Sequence, residues 1–479
     1  MSSAQQRVPA AGRPDSRQDG VSDGRQNVNR QRDLRSSLHP YTNLQVHEEQ
    51  GPFVITRGDG VFVEDDRGRR FLEGMSGLWC AGLGFSEPRL VEAASQQMAR
   101  LPFNHGFSHR ASEPVIDLAD RLVDLAPASL DRAIFVNSGS EAVDLAIKIA
   151  WYVMNARGFF EKKKVISRVR AYHGVTIAAG SLTALPYAQK GFDLPVDRFL
   201  HTETPHPYRF QQAGESEEDY ATRLAEYLED LIVQEEPETV AAFIAEPVMG
   251  AGGVIMPPAT YFEKVQAVCK KYEVLFIADE VICGFGRTGN FWGSDTYGIQ
   301  PDMMTCAKQL SSGYLPIAGL MMSDAIYQDL KSQAPKYGVF GHGNTYGGHP
   351  VSAAVACEVL DIYEERDIIG GVRERATLFS ERVERLNAFE LVGEARSVGL
   401  LGGVELIREK PFKVGFAPET MAAAKVVSLC LEQGLILRAL PGDCIGICPP
   451  LIISEGELNQ LFDILEGALE KALQTLKDQ

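Results

Sequence analysis

Long hydrophobic runs are missing from this sequence of 479 residues. Its apolar stretches, such as residues 274–278 and 316–322, are far shorter than the roughly 18 residues that predict a membrane-spanning helix. Positive charge is also scarce, since 47 Lys and Arg stand against 64 Asp and Glu and the formal net charge is −17. No basic stripe interleaved with aromatic residues is present. We therefore expect neither a membrane segment nor a nucleic-acid partner.

A disulfide framework is lacking as well. The eight cysteines are scattered and most have apolar neighbours, which is typical of reduced thiols in a protein core. Cys444 and Cys448 have a spacing that occurs in metal sites, but Ile445 and Ile447 alternate with them as in a strand, and no His or Cys pair lies nearby. We expect no metal site and a reducing compartment, by default the cytoplasm.

The first 36 residues contain little that a folded protein could bury. They include seven Arg, four Asp and many Ser, Gln and Gly, a composition that predicts a disordered tail. The acidic residues and the absence of an amphipathic stripe argue against a transit peptide, and no secretory apolar segment is present.

The rest of the chain predicts an α/β fold. Residues 53–73 show short alternating runs that are typical of an antiparallel meander. Strands alternating with helices follow, which predicts a mostly parallel sheet covered by helices. We expect strands at residues 133–136, 165–169, 241–248, 274–281 and 303–307, with helices at 141–156 and 261–271. Further helices at 351–365, 419–433 and 455–476, together with short strands, predict a smaller α+β domain.

The strand-to-helix junction at residues 137–142 is the first candidate for ligand binding. The free N–H groups of the first helical turn, the helix dipole and the Ser140 hydroxyl converge there, which favours an anion, most simply a phosphate. The same residues also suit an ordinary helix start, with Ser138 or Ser140 as the cap and Glu141 complementing the dipole. The sequence leaves both interpretations open.

Two buried strands end in charged residues. Asp279 stands where ligands bind in open α/β sheets, and it could meet a cationic group of a ligand or be satisfied by the backbone or by Arg287. Lys308 follows another apolar run, where a lone lysine is costly to bury unless it is neutral or used covalently. A Schiff-base lysine and a lysine that extends to the surface both fit this pattern.

Residues 284–289 match the G-x-G-x-x-G fingerprint of dinucleotide-binding proteins. The residues that follow, 290–302, show no helical apolar period for the required crossover helix. We therefore do not expect a nicotinamide or flavin site.

Taken together, the motifs resemble one enzyme family. Residues 137–142, 171–174, 245–247, 278–281 with 284–289, Lys308, Thr345 with Tyr346, and His349 with Pro350 stand in the order seen in class III aminotransferases. These are pyridoxal-phosphate enzymes of fold type I, and the sequence is most similar to the omega-amino acid and amine:pyruvate transaminases. The resemblance runs from about Leu38 to about Leu469.

This resemblance also implies a domain organisation. After the tail at residues 1–36, residues 37–95 would join the small domain, 96–345 would form the large domain that binds pyridoxal phosphate, and 346–479 would complete the small domain. The family forms homodimers, and the sequence does not separate a dimer from a tetramer.

The family's site residues carry over one by one. Lys308 would form the Schiff base and then act as the base that moves the substrate proton, and Asp279 would keep the pyridine nitrogen protonated. Tyr172 would stack on one face of the ring beside His173, and Val281 would pack on the other face. The remaining contacts would be Gly139 and Ser140 at the phosphate, Thr345 of the partner subunit at the same phosphate, and Glu246 near the ring.

Three positions depart from the family's usual residues and affect the shape of the pocket. Gln309 replaces a usual Gly after the lysine, Asn344 replaces an aromatic residue before Thr345, and Gly347 replaces a Ser.

The substrate is indicated by two further positions. Relatives that use glutamate carry a Glu that neutralises a carboxylate-binding Arg, and here that position is Ala251. Arg438 corresponds to the mobile arginine of the amine:pyruvate group, and Trp79 would line the pocket unless it is a core residue. We therefore expect an amine or omega-amino acid donor and pyruvate as the acceptor, with alanine formed.

Two alternatives remain at this point. One is different pyridoxal-phosphate chemistry on the same fold, such as a decarboxylating or aminomutase reaction. The other is a catalytically idle binding protein, although such a protein would not need Lys308, Asp279 and the phosphate loop together.

Overall fold

The N-terminal part of the chain forms a unit of its own. The structure, a computed structural model, describes residues 22–476. Among the described residues, a first compact unit contains those up to Arg57 together with Val63–Arg70, and a second contains Gly58–Phe62 and those from Phe71 onward. The N-terminal elements are α1 (Ser22–Ser36), α2 (Leu44–Gln50), β1 (Ile55–Asp59), β2 (Phe62–Asp65) and β3 (Arg70–Glu73). The three strands lie where the meander was predicted.

The disorder predicted for residues 1–36 is wrong for residues 22–36, which form α1. A shortage of apolar residues excludes burial, but Arg and Gln are good helix formers. Polar contacts then fix the helix, since Asp33 contacts His39 at 3.0 Å and Arg30 donates to the backbone carbonyl of Glu49 at 2.7 Å. Residues 1–21 lie outside the described residues.

A seven-stranded sheet forms the centre of the second unit. Its strands are β4 (Arg132–Val136), β5 (Lys164–Arg168), β6 (Phe199–Thr202), β7 (Val240–Ala245), β8 (Leu275–Asp279), β9 (Met303–Cys306) and β10 (Ala318–Met322). The order is β4-β10-β9-β8-β7-β5-β6, and β10 alone is antiparallel to its neighbours. The mostly parallel sheet predicted from the sequence is confirmed.

Helices cover both faces of this sheet. The helices between residues 76 and 337 are α3 (Ser76–Trp79), α4 (Pro88–Arg100), α5 (Glu113–Leu125), α6 (Gly139–Ala156), α7 (Ile177–Leu182), α8 (Pro186–Gln189), α9 (Pro207–Phe210), α10 (Glu217–Gln234), α11 (Tyr261–Lys271), α12 (Gly293–Tyr297), α13 (Asp324–Ser332) and α14 (Ala334–Tyr337). In β8, Leu275 and Ile277 pack in the core cluster that contains α6, while Phe276 and Ala278 pack in the cluster that contains α10 and α11. Burial on both faces explains why this strand is an uninterrupted apolar run.

The C-terminal segment adds a second, antiparallel sheet. Its elements are α15 (Pro350–Glu365), α16 (Ile368–Leu386), β11 (Val392–Val398), β12 (Leu401–Leu406), α17 (Ala422–Glu432), β13 (Leu435–Ile436), β14 (Arg438–Leu440), β15 (Cys444–Ile447) and α18 (Glu455–Leu476). The sheet order is β11-β12-β15-β14, and β13 pairs in parallel with β3. An N-terminal strand therefore pairs with a strand of this segment, while the assignment of residues 37–95 to a small domain stays a prediction. The boundary at residue 345 stays a prediction, because both sides of it belong to the second unit.

The helices of residues 22–476 differ in length and in apolar character. None of them combines the length and the apolar character that crossing a bilayer requires.

Candidate active site

A cavity of about 350 Å³ opens at the carboxyl end of the main sheet. The start of α6, the ends of β8 and β9, and the loop after β5 all contribute to its wall. Its lining includes nine of the residues singled out from the sequence, which are Gly139, Ser140, Tyr172, His173, Glu246, Asp279, Val281, Lys308 and, as a cap residue, Ser138. The sheet topology thus brings together residues that are up to 170 positions apart in the chain.

The start of α6 is shaped for close approach of a ligand. Ser138 is the cap, because its Oγ accepts from the N–H of Glu141 at 3.3 Å. Ser140 is therefore not needed as the cap, and its Oγ accepts from the N–H of Val175 at 3.1 Å. A Cβ added at Gly139 would lie 3.2 Å from both methyl groups of Val281. The ordinary helix cap is therefore present, and anion binding at the first turn, which lines the cavity, stays a prediction.

Asp279 is a buried carboxylate with three donors around it. Its Oδ2 lies 2.7 Å from Nδ1 of His173, and its Oδ1 accepts from the hydroxyl of Thr305 at 3.1 Å and the N–H of Val281 at 3.2 Å. Arg287 is not among these partners. Nε2 of His173 is buried and has no hydrogen-bond partner among the described residues.

The neighbouring carboxylate, Glu280, has a different role. It accepts from the N–H groups of Gly293 and Ser294 and from the Ser294 hydroxyl, at 2.9, 2.5 and 2.6 Å, and so caps α12. Burial raises the pKa of Glu280 to about 7. Of the two adjacent acids, only Asp279 lines the cavity.

Lys308 projects from a strained position in the cavity wall. It begins a single helical turn after β9 with a left-handed φ of 50°. Burial lowers the pKa of its amine, and this effect is opposed by the Cys80 thiol and by the carboxylates of Asp279 and Glu246. A lowered pKa favours the neutral amine, which is the nucleophilic form. The lysine lies in the cavity wall instead of extending to the outer surface.

Tyr172 and Glu246 are linked through the backbone. Oε1 of Glu246 accepts from the N–H of Tyr172 at 3.1 Å, and its Oε2 accepts from the N–H of Gly250 at 3.0 Å. Burial raises the pKa of Glu246. This carboxyl group therefore orients the loop that carries Tyr172 into the cavity.

Sequence reasoning missed three residues of the site. Thr305 donates to Asp279, and the hydroxyl of Thr183 accepts from the N–H of His173 at 2.8 Å. Cys80 lines the cavity. Thr305 could have been found by aligning the ends of the two strands, since it pairs with Asp279 in the register of β8 and β9.

Three predicted residues do not line this cavity. Trp79 is 2% exposed and packs in a core cluster with Met75 and Leu440, so its placement does not support a substrate contact. Arg438 is half-buried on β14 and has no ion-pair partner among residues 22–476. Thr345 is exposed in the single chain.

The contacts of Gln309 and Gly347 explain two of the three departures from the family's usual residues. The Gln309 amide donates to the carbonyl of Gly284 at 3.0 Å, and its oxygen accepts from Arg287 at 3.5 Å. A Cβ at Gly347 would lie 2.7 Å from the backbone oxygen of Phe135, so a Ser there would require a local shift. For Asn344, the structure shows a buried Oδ1 with no partner in the described chain.

The glycines of residues 284–289 serve packing and turns. A Cβ at Gly284 would lie 2.9 Å from both the Trp292 ring and the carbonyl of Glu280, and Gly286 and Gly289 have φ values of 89° and 91°. The helix that follows, α12, has only five residues. The structure thus accounts for these glycines without a dinucleotide.

Comparison with known proteins identifies a matching family and several similar proteins. A family model described as aminotransferase class-III matches residues 44–469. The chain is 46% identical over 446 residues to gamma aminobutyrate transaminase 1, mitochondrial, of Solanum lycopersicum, an alignment that covers 92% of this chain and 86% of that protein. An omega transaminase of Pseudomonas jessenii in complex with PMP superposes with a TM-score of 0.92 at 48% identity, covering 93% of this chain and 98% of that one. A structure described as a transaminase with L-ala matches with a TM-score of 0.86 at 54% identity, covering 88% and 100% of the two chains.

Proposed function

The chain belongs to the class-III aminotransferases, which are pyridoxal-phosphate enzymes, and from this premise we propose that it moves an amino group from an amine or omega-amino acid to pyruvate, forming alanine. The observation that carries the proposal is the cavity in which the Lys308 amine, the Asp279 carboxylate and the start of α6 face one another. The two half-reactions would alternate on one cofactor.

The residues of the cavity fit pyridoxal 5'-phosphate. The first turn of α6 offers N–H groups and the Ser140 hydroxyl to a phosphate, and a glycine at 139 leaves room for it beside Val281. Asp279 offers a buried carboxylate to a protonated ring nitrogen. The unpartnered Nε2 of His173 also belongs to this wall.

The protein's own groups then have distinct tasks. Bound pyridoxal phosphate supplies a ring that withdraws electrons from the substrate carbon. The Lys308 amine would hold the cofactor covalently and would afterwards take and return the substrate proton. Asp279, oriented by His173 and Thr305, holds a proton on the ring nitrogen. Tyr172 and Val281, which line the cavity, would hold the ring, while Glu246 fixes the backbone that carries Tyr172.

A second copy of the chain would complete the phosphate site. Thr345 is exposed and lies outside the cavity of its own chain, which agrees with a role in the partner subunit of a homodimer.

Pyruvate as the acceptor rests on Arg438 and Ala251. A guanidinium pairs bidentately with the carboxylate of pyruvate or alanine, and it must move aside when an apolar amine binds. Arg438 has no ion-pair partner among the described residues, and Ala251 supplies no carboxylate that could hold it. The L-ala complex of a similar transaminase agrees with alanine as a product, and the gamma aminobutyrate relatives favour an omega-amino acid donor.

The test measures the pyruvate half-reaction and the amine half-reaction separately in an Arg438→Ala variant and compares each with the wild type. Loss of a charge-assisted pair of about 1.5–3 kcal/mol lowers kcat/KM for pyruvate by roughly 10- to 150-fold. The half-reaction with a neutral arylalkyl amine should change little. Arg408→Ala is the matched control, because Arg408 is an exposed arginine that pairs with the adjacent Glu409.

Equal losses in both half-reactions would show that Arg438 is not the carboxylate contact. Preference for 2-oxoglutarate over pyruvate would show that the subgroup is wrong. Product analysis for alanine distinguishes transamination from a decarboxylating or aminomutase reaction. A visible absorption band that borohydride bleaches distinguishes an enzyme from an idle scaffold.

Cytoplasmic location remains a prediction. The names of several relatives, including the Solanum lycopersicum enzyme, place those proteins in mitochondria or chloroplasts.

A further inference from the structure

Among the side chains that the structure describes, the N-terminal helices of the first unit are joined without an apolar core. None of the seven residues of α2 is buried. The side chains of Leu38, Leu44 and Val46 are 80%, 48% and 41% exposed. Small elements that lack a core usually need a cross-link or a bound ion to stay ordered. The contacts that join α1 to α2 are instead made by polar side chains.

Three of these side chains converge on one point. Asp33 lies in the last turn of α1, His39 in the connection and His47 in α2. The Nε2 atoms of both histidines lie 3.0 Å from carboxylate oxygens of Asp33. One ligand atom from each residue can be chosen so that all three lie within 4.8 Å of one another. The two imidazole rings are 4.0 Å apart between centroids.

These distances suit the coordination shell of a transition metal. When metal–ligand bonds are about 2.0–2.2 Å long and tetrahedral, neighbouring ligand atoms lie about 3.3 Å apart. The observed 3.0 Å is close to that separation. Two neutral imidazoles and one carboxylate are ligands that zinc accepts, and a water molecule can take the fourth position.

In a second cluster of histidine and carboxylate residues, arginines of the protein neutralise the carboxylates. His206, Glu394 and Glu405 also lie within ligating distance of one another. There, however, Arg209 binds Glu405 and Arg396 binds Glu394, so arginines already occupy the carboxylates. Asp33, by contrast, pairs with two imidazoles and with no Lys or Arg among the described residues.

We propose that Asp33, His39 and His47 form a site for a divalent transition metal, with zinc as the ion that the ligand set suits best. The ion fixes α1 against α2 and takes the place of the missing apolar core. All three ligands come from one short stretch of chain, so ordering them costs little loop entropy. The site is independent of the transaminase reaction, because none of its ligands lines the cavity.

Metal content is the direct test. The full-length, cofactor-loaded enzyme is stripped with a chelator, equilibrated with zinc chloride and analysed by mass spectrometry for bound zinc. We expect one zinc per chain in the wild type. Asp33→Asn, His39→Asn and His47→Asn should each weaken binding by more than the roughly 10- to 100-fold that loss of an outer-shell partner costs.

The control is His109→Asn. His109 is an exposed histidine at a left-handed φ of 66°, a conformation that Asn tolerates, so this variant should bind zinc like the wild type. The visible absorption of the bound cofactor reports that each variant is folded. Zinc should also slow tryptic cleavage at Arg35 at least tenfold in the wild type but not in the three ligand variants.

Two results would overturn the proposal. One is a wild type that binds no zinc. The other is zinc retained with unchanged affinity by any of the three ligand variants.

Discussion

Replacing Asp279 by Asn separates an electrostatic role of this carboxylate from a structural one. The N–H of Val281 is a fixed donor to Oδ1, so the Asn oxygen must stay there. The amide NH₂ then faces Nδ1 of His173, which can accept if its proton moves to Nε2. The fold should therefore tolerate the change, and the main loss is the negative charge.

The size of the effect follows from the burial of the carboxylate. Removing one partner of a buried, hydrogen-bonded charge pair costs about 3–5 kcal/mol. At about 1.4 kcal/mol for each factor of ten, the rate of the proton-transfer step should fall by roughly 150- to 5,000-fold. Cofactor binding should persist, because the phosphate cradle and Lys308 are unchanged.

The assay measures single half-reactions of the loaded enzyme by absorbance, with the cofactor content determined first. Glu280→Gln is the matched control, since this neighbouring buried acid caps α12 and does not line the cavity. The control should lower stability but leave the half-reaction rate within about threefold of wild type, well below the tenfold that 1.4 kcal/mol represents. An Asp279→Asn enzyme that keeps its cofactor and reacts within tenfold of wild type would refute the electrostatic role. So would an equal loss in Glu280→Gln.

Two further predictions concern the same region. Lys308→Ala should fold and lose turnover, because acid–base transfer alone contributes roughly 10²- to 10⁴-fold and the covalent step adds to it; near-normal steady-state activity would contradict the assignment. The second concerns Glu280, whose pKa burial raises from an ordinary 4.5 to about 7. Folding therefore favours the neutral carboxyl group. The contribution of this group to the free energy of unfolding is lost as the pH rises from about 4.5 to about 7. The wild type should therefore exceed Glu280→Gln in free energy of unfolding by more at pH 5 than at pH 8, by at most about 3 kcal/mol, and urea titrations that show a constant difference would contradict this assignment.

The parallel core was predictable because its strands are buried on both faces. β8 and β9 are continuous apolar runs in the sequence, and α6 has a clear apolar period. α10 was not predicted, although the capping box of Ser216 and Asp219 marks its start. The direction of β10 depends on the path by which the chain returns to the sheet, which local patterns do not encode.

The site was predictable only in part. Strand alternation places Asp279 and Glu280 on opposite faces, but which face holds the cavity depends on how neighbouring strands are ordered. Trp79 and Arg438 were assigned by resemblance, and neither lines the cavity of the single chain. The cluster around His39 was not predicted, because Asp33 falls in residues 1–36, whose composition predicted a disordered tail, while His39 and His47 lie beyond that tail.

Arg287 couples unfolding of the C-terminal segment to unfolding of the rest of the second unit. Its guanidinium donates to the backbone oxygens of Leu400 and Pro449 and to the hydroxyl of Ser76, in three distant parts of the chain. Detaching the C-terminal segment alone would remove two backbone acceptors of this buried cation, which is unfavourable. Partly unfolded forms of the second unit are therefore suppressed, and this unit should melt in a single cooperative transition.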